Sequence, residues 1–189
     1  MRAFLGISLP ENVRNTLKAL QDELAAARAD VKWVLPEQLH VTLKFLDEVS
    51  DDQRRALESL LRRIAVDEEP FLLGMGGLGA FPSLESPRVI WVGLTEGHER
   101  LARLAEVIGR EGAALQLRRE ERPFSAHLTL GRVRSSRGVA ALTQRLRATS
   151  WQPPAAWRVD AVTLYQSVLT PAGARYTVLA DIPLGASSP

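Results

Sequence analysis

Two short stretches hold the residues of this chain best suited to chemistry. Residues 39–46 read LHVTLKFL and residues 126–133 read AHLTLGRV. The chain has 3 histidines, and two of them, His40 and His127, open a His-x-Thr-Leu motif. A given histidine meets that pattern by chance roughly one time in 200 at ordinary threonine and leucine frequencies. The repeat is therefore no accident, although a duplication can copy a structural motif as readily as an active one. In an extended strand side chains alternate between faces. His40 and Thr42 then share one face, and Leu39, Val41, Leu43 and Phe45 share the other. His127 and Thr129 oppose Leu128 and Leu130 in the same way. Lys44 takes the parity of His40, where it can touch an anion or stay solvated. By strict alternation Arg132 faces away from His127. It can reach the histidine's face only if the strand ends or bulges at Gly131.

Each His/Thr pair alone reads equally well as a satisfied polar patch on a sheet. Together the pairs suit general acid–base chemistry. Histidine titrates near pH 6.5, so one ring can be neutral while its partner is protonated. A threonine hydroxyl can donate to an oxygen on which charge develops. Two His/Thr arms then surround one phosphorus, with one histidine activating water and the other protonating the departing oxygen. Thr42 and Thr129 hold the phosphoryl oxygens. Two histidines are too few for a zinc site, which takes at least three protein ligands. Ser125 neighbours His127, but no G-x-S-x-G elbow is present. The glycines of GMGGLGAF lack the lysine of a phosphate-binding P-loop.

The elements that must position these residues follow from periodicity. RAFLGISL (2–9) reads as a strand, and Pro10 opens a helix over 11–29 with Val13, Leu17, Leu20 and Leu24 as its apolar stripe. A short strand is predicted at 31–34. Ser50 or Asp51 caps a helix to about Ala65. Strands are predicted at 70–79 and 88–94, a helix at 97–112, a strand at 114–119 and a helix at 137–148. Strands at 157–168 and 174–182 are joined by the turn TPAG. Residues 185–189 read as a frayed tail. The pattern is α+β or mixed α/β. The two motifs sit near the middle of each half, which points to a twofold duplication.

Composition sets outer bounds. The chain has 189 residues, 46% hydrophobic and 24% charged, in the range of one globular domain. With 0 cysteines, disulfides, thiolate metal sites and cysteine nucleophiles are excluded. The start MRAFLGISLPENVRN is not read as a signal peptide, and no stretch has the length of a membrane span. A cytoplasmic monomer is expected. Net charge is +2 with a sequence pI near 9.4, and the cations are mostly arginine. Arg118, Arg119, Arg122, Arg132, Arg134 and Arg137 crowd one segment, which suits a phosphate-rich partner.

The paired H-x-T-L motifs resemble those of the two-histidine phosphoesterase superfamily, specifically the RNA 2′,3′-cyclic phosphodiesterases, also called 2′-5′ RNA ligase-like. RAFLGISLP, VKWVLPEQLHVTLKFL, PRVIWVGL and LYQSVLTPAGARYTVL carry the resemblance over nearly the whole chain. It implies one bilobal, pseudo-twofold α+β domain over 1–189, with an antiparallel sheet and flanking helices in each lobe and a central cleft. It also implies metal-independent, cofactor-free hydrolysis of a 2′,3′-cyclic phosphate RNA end to a 2′-phosphomonoester. His40 would be the proton donor, His127 the proton acceptor, and Arg132 a phosphate ligand. Reversible 2′-5′ ligation and non-catalytic RNA binding are the alternatives. Two positions depart from the family pattern: Asp47 stands where glycine is usual, and Ala126 where proline is. Trp33, Phe45 and Phe124 can stack on a base or pack in the core. His98 reads as a surface residue at a helix start.

Overall fold

The computed structural model describes residues 1–117, 124–170 and 173–185. Arg118, Arg119 and Arg122, and Pro171 of the TPAG turn, lie outside the described residues. So do residues 186–189 of the tail. Among the described residues the elements are α-helices, short 3-10 turns and antiparallel strands, an α+β fold.

The helices form where their apolar stripes lie. Helix α1 (Glu11–Ala25) buries Val13, Leu17, Leu20 and Leu24. It stops short of residue 29, and Arg28 has φ +54°. That left-handed geometry ends helices. Helix α2 (Asp51–Val66) is capped by Ser50, whose hydroxyl accepts the Gln53 N–H at 3.1 Å while Gln53 Oε1 accepts the Ser50 N–H at 3.0 Å. This reciprocal capping box satisfies two otherwise orphaned donors. Helices α3 (His98–Glu111) and α4 (Val139–Ala148) complete the set among the described residues. No helix among the described residues is long and apolar enough to cross a membrane.

One sheet has the order β10 (Gly173–Pro183), β9 (Ala161–Thr170), β1 (Arg2–Ser8), β3 (His40–Glu48). The other has the order β2 (Val31–Trp33), β7 (His127–Val133), β6 (Pro87–Leu94), β5 (Met75–Pro82). A small pair joins β4 (Phe71–Leu73) to β8 (Trp157–Val159). Each motif strand thus lies in its own sheet, but the sheets do not coincide with the halves of the sequence. Strand β2 pairs with β7, and the C-terminal β9 and β10 extend the sheet of β1 and β3. One contiguous apolar core, including Leu5, Val41, Leu43, Ile90, Leu130 and Leu164, joins the two sheets.

Three sequence predictions change. The strand predicted at 70–79 divides at Gly74, whose N–H and carbonyl bond to Glu96 and Thr95 as the chain passes between sheets. The strand predicted at 157–168 divides at Asp160, whose carbonyl accepts the Leu184 N–H. Residues Gly112–Leu115 form a 3-10 turn in place of the start of the strand predicted at 114–119. Gln116 then takes a left-handed φ of +54°, which blocks an extended strand there.

Both motif strands depart from alternation at the same place. Thr42 pairs with Gly6 and Lys44 with Leu5, so Leu43 is an extra residue in β3. Thr129 pairs with Trp91 and Gly131 with Ile90, so Leu130 is an extra residue in β7. Each is a β-bulge, which re-aims the residues beyond it. The bulged residues Leu43 and Leu130 lie in the core, at 4% and 0% exposure. Burying a leucine contributes about 1.5–3 kcal/mol, which helps to hold the bulge. A second bulge follows in β3, where Asp47 has φ +55°. Glycine takes that conformation freely, and aspartate is among the side chains that tolerate it. Asp47 thus meets a backbone demand that a glycine at this position would meet as well. The proline-to-alanine departure is equally local. Ala126 uses its carbonyl to accept the Leu94 N–H, and a proline carbonyl would serve as well.

Candidate active site

The two motif strands approach each other directly between the sheets. His40 and Thr42 line one side of a cleft of about 2200 Å³, and His127, Thr129 and Arg132 line the other. All five residues singled out by the motifs therefore face one space.

The bulges decide what accompanies the histidines. Past Leu43, Phe45 pairs with Phe4 on the His40 face and is 49% exposed in the cleft. This corrects the core parity expected for Phe45. Lys44 is opposite Leu5 and only 5% exposed, so the bulge takes it off the His40 face that alternation predicted, although it still borders the same cleft. Past Leu130, Arg132 pairs with Val89 and turns toward His127. The bulge required for that orientation is present, one residue before Gly131. Phe45 and Arg132 are thus equivalent positions of the echo with opposite chemistry. Phe124 also lines the cleft, whereas Trp33 packs against the core. His98 is exposed, does not line the cleft, and donates a ring N–H to the Thr95 carbonyl.

Both catalytic candidates are anchored alike. His40 Nδ1 lies 2.7 Å from the Gln38 carbonyl, and His127 Nδ1 lies 2.8 Å from the Ser125 carbonyl. A carbonyl only accepts, so each Nδ1 carries hydrogen and each neutral ring presents the Nε2 lone pair. Thr42 donates its hydroxyl to His40 Nε2 at 3.0 Å. Burial pushes both histidines below their ordinary value, opposed in each by the Nδ1 bond to the carbonyl. For His127 the charge of Arg132 pushes further in the same direction. Arg132 also lowers Tyr176, whose hydroxyl burial raises more strongly, so its charge reaches the opposite sheet.

Aromatic walls surround each imidazole, and sequence reasoning missed them. Phe4 lies 4.6 Å from the His40 ring and Tyr176 lies edge-on at 5.3 Å. Phe81 meets the His127 ring edge-on at 5.1 Å, and Phe81 in turn packs 5.1 Å from Trp91. Rings that exclude water account for the desolvation of both histidines. Alternation in β1, β5, β9 and β10 marks these faces, but only the strand order tells which histidine each ring reaches.

The Trp91 wall depends on a missing side chain. A Cβ on Gly79 would sit 2.2 Å from Trp91 Cζ2. Gly79→Ala is expected to cost about 1–3 kcal/mol of stability through overpacking. Thermal unfolding checks this, and adding Trp91→Leu should recover part of the loss.

Comparison with known proteins defines the class. The family model LigT like Phosphoesterase matches residues 7–91 and again 92–176. The two matches account for the internal echo as a tandem repeat. The chain belongs to the LigT-like phosphoesterases, within the two-histidine superfamily. More particularly, it is 37% identical over 177 residues to the RNA 2′,3′-cyclic phosphodiesterase of Methanothermobacter thermautotrophicus, covering 94% of this chain and 95% of that protein. Among crystal structures, TT0787 of Thermus thermophilus superposes with a TM-score of 0.80 at 32% identity, covering 100% of both chains. Escherichia coli LigT complexed with 3′-AMP superposes with a TM-score of 0.78 at 28% identity, covering 98% of both.

Proposed function

We propose that this protein hydrolyses RNA 2′,3′-cyclic phosphate ends to 2′-phosphomonoesters by acid–base catalysis without a metal. The observation that carries the reading is the matched pair: two His/Thr arms on two sheets, each imidazole fixed through Nδ1, with the His40 Nε2 held by the Thr42 hydroxyl until substrate displaces it. The relatives named as RNA 2′,3′-cyclic phosphodiesterases support the substrate class.

The electrostatics support one division of labour. Burial disfavours a proton on both rings, and Arg132 disfavours one on His127 in addition; on that asymmetry and the family pattern we take His40 as the donor. A bound phosphate anion favours a proton on either ring and so offsets the burial that disfavours a charged His40. His127 Nε2 takes a proton from water as the water oxygen bonds to phosphorus. The bond from phosphorus to the ribose 3′-oxygen breaks, and His40 Nε2 gives that oxygen its proton. Thr42, Thr129 and Arg132 hold the non-bridging oxygens as charge shifts onto them. Exchange with solvent then resets both rings.

The test is incubation of a 2′,3′-cyclic-phosphate oligonucleotide with the protein in EDTA, followed by location of the product phosphate. Turnover to a 2′-phosphate is expected. No turnover, or turnover only with added metal, would defeat the mechanism.

A further inference from the structure

Helix α1 carries one polar residue where its stripe should be apolar. Gln21 lies between Leu17 and Leu24 on the buried face and is 3% exposed. Burying an amide is costly unless its hydrogen bonds are made. Its Nε2 donates to the Val34 carbonyl at 2.8 Å and to the Leu130 carbonyl at 2.9 Å. Leu130 is the extra residue of the second-motif bulge. The same carbonyl accepts the Val34 N–H at 2.9 Å, so two donors fill both of its lone pairs. On the adjacent residue, a Cβ on Gly131 would lie 2.9 Å from Trp33 Cε3, so β2 closes over the bulge from the other side.

A bulge is one register out of several that a strand can adopt, and a one-residue slip reverses every side chain beyond it. In β7 the side chain beyond it is Arg132. We propose that Gln21 is a positioning residue for the phosphate site: by clamping the Leu130 carbonyl it holds the bulge that turns Arg132 toward His127. Helix α1 is otherwise remote from the chemistry, and Gln21 acts only through the backbone of the motif strand. The inference rests on the reading of Arg132 given above.

The role separates from plain structural support through the titration of His127. Burial chiefly holds that ring low and Arg132 lowers it further, so moving Arg132 away lets it rise part of the way. Four forms of the full chain are compared: wild type, Gln21→Met, Arg132→Gln and the double variant. The substrate is a cyclic-phosphate oligonucleotide, and the His127 ring is titrated by NMR. Gln21→Met should lower kcat/KM about 10- to 100-fold. It should also raise the His127 midpoint and move the acid limb of kcat/KM to higher pH, as Arg132→Gln does. The double variant should match Arg132→Gln alone. Additive losses, or an unmoved His127 midpoint in Gln21→Met where Arg132→Gln raises it, would overturn the proposal. Gln21→Asn, which keeps the amide but is one methylene short, serves as a second variant. Failure of both Gln21 variants to fold would assign the residue to the fold and also overturn it. An Arg132→Gln enzyme with wild-type rate and midpoint would remove the reading of Arg132 itself, and this inference with it.

Discussion

His40→Ala and His127→Ala should each lower kcat/KM by about 10²–10⁴-fold while the protein stays folded. The two losses should not multiply in the double variant. Acid and base act on one displacement, so once either is gone the other has less to contribute. The pH profile tells the roles apart. In the wild type, kcat/KM should fall on the acid side as the base gains a proton and on the alkaline side as the acid loses one. Burial and Arg132 hold His127 below the ordinary histidine value, so the acid limb should fall below about pH 6.5. His127→Ala should abolish that acid limb, and His40→Ala should abolish the alkaline one. Near-wild-type rates in both single variants would remove the histidines from the mechanism. Exchanged limbs would keep the pair and reverse the assignment.

Much of this was legible in the chain because it depends on local periodicity. The His/Thr faces need only strand alternation over three residues, and His40, Thr42, His127 and Thr129 all line the cleft. The α1 stripe and the Ser50 cap are equally local. What alternation could not supply is an interruption of alternation. The bulges at Leu43 and Leu130 leave both leucines in the core and reassign Lys44, Phe45 and Arg132. Strand order was hidden too. Phe4, Tyr165 and Tyr176 come together only because β9 and β10 join β1 from the opposite end of the chain, as the pairing of Phe4 with Tyr165 shows. Gln21 broke an otherwise apolar stripe, which is a signal, but its partner Leu130 is 109 residues away.

Arg132→Ala should lower kcat/KM by about 10²–10³-fold, the usual effect of removing a donor aimed at developing charge. It should also raise His127 and shift the acid limb upward, because the neighbouring cation that opposed protonation is gone. Arg132→Lys separates the two effects. A lysine keeps the charge but loses the planar fork that grips two phosphate oxygens. The acid limb should therefore stay where it is while the rate recovers only in part. Phe45→Ala provides the comparison, since Phe45 occupies the equivalent position in the first motif. It bears no charge, so its removal should leave the acid limb in place. A shift there would mean that Phe45 contributes to the burial that lowers His127, beside the cation. The same bulge thus presents an arginine to one histidine and a phenylalanine to the other. That difference, with the deeper burial of His40, makes chemically unequal two motifs whose histidines and carbonyl anchors match.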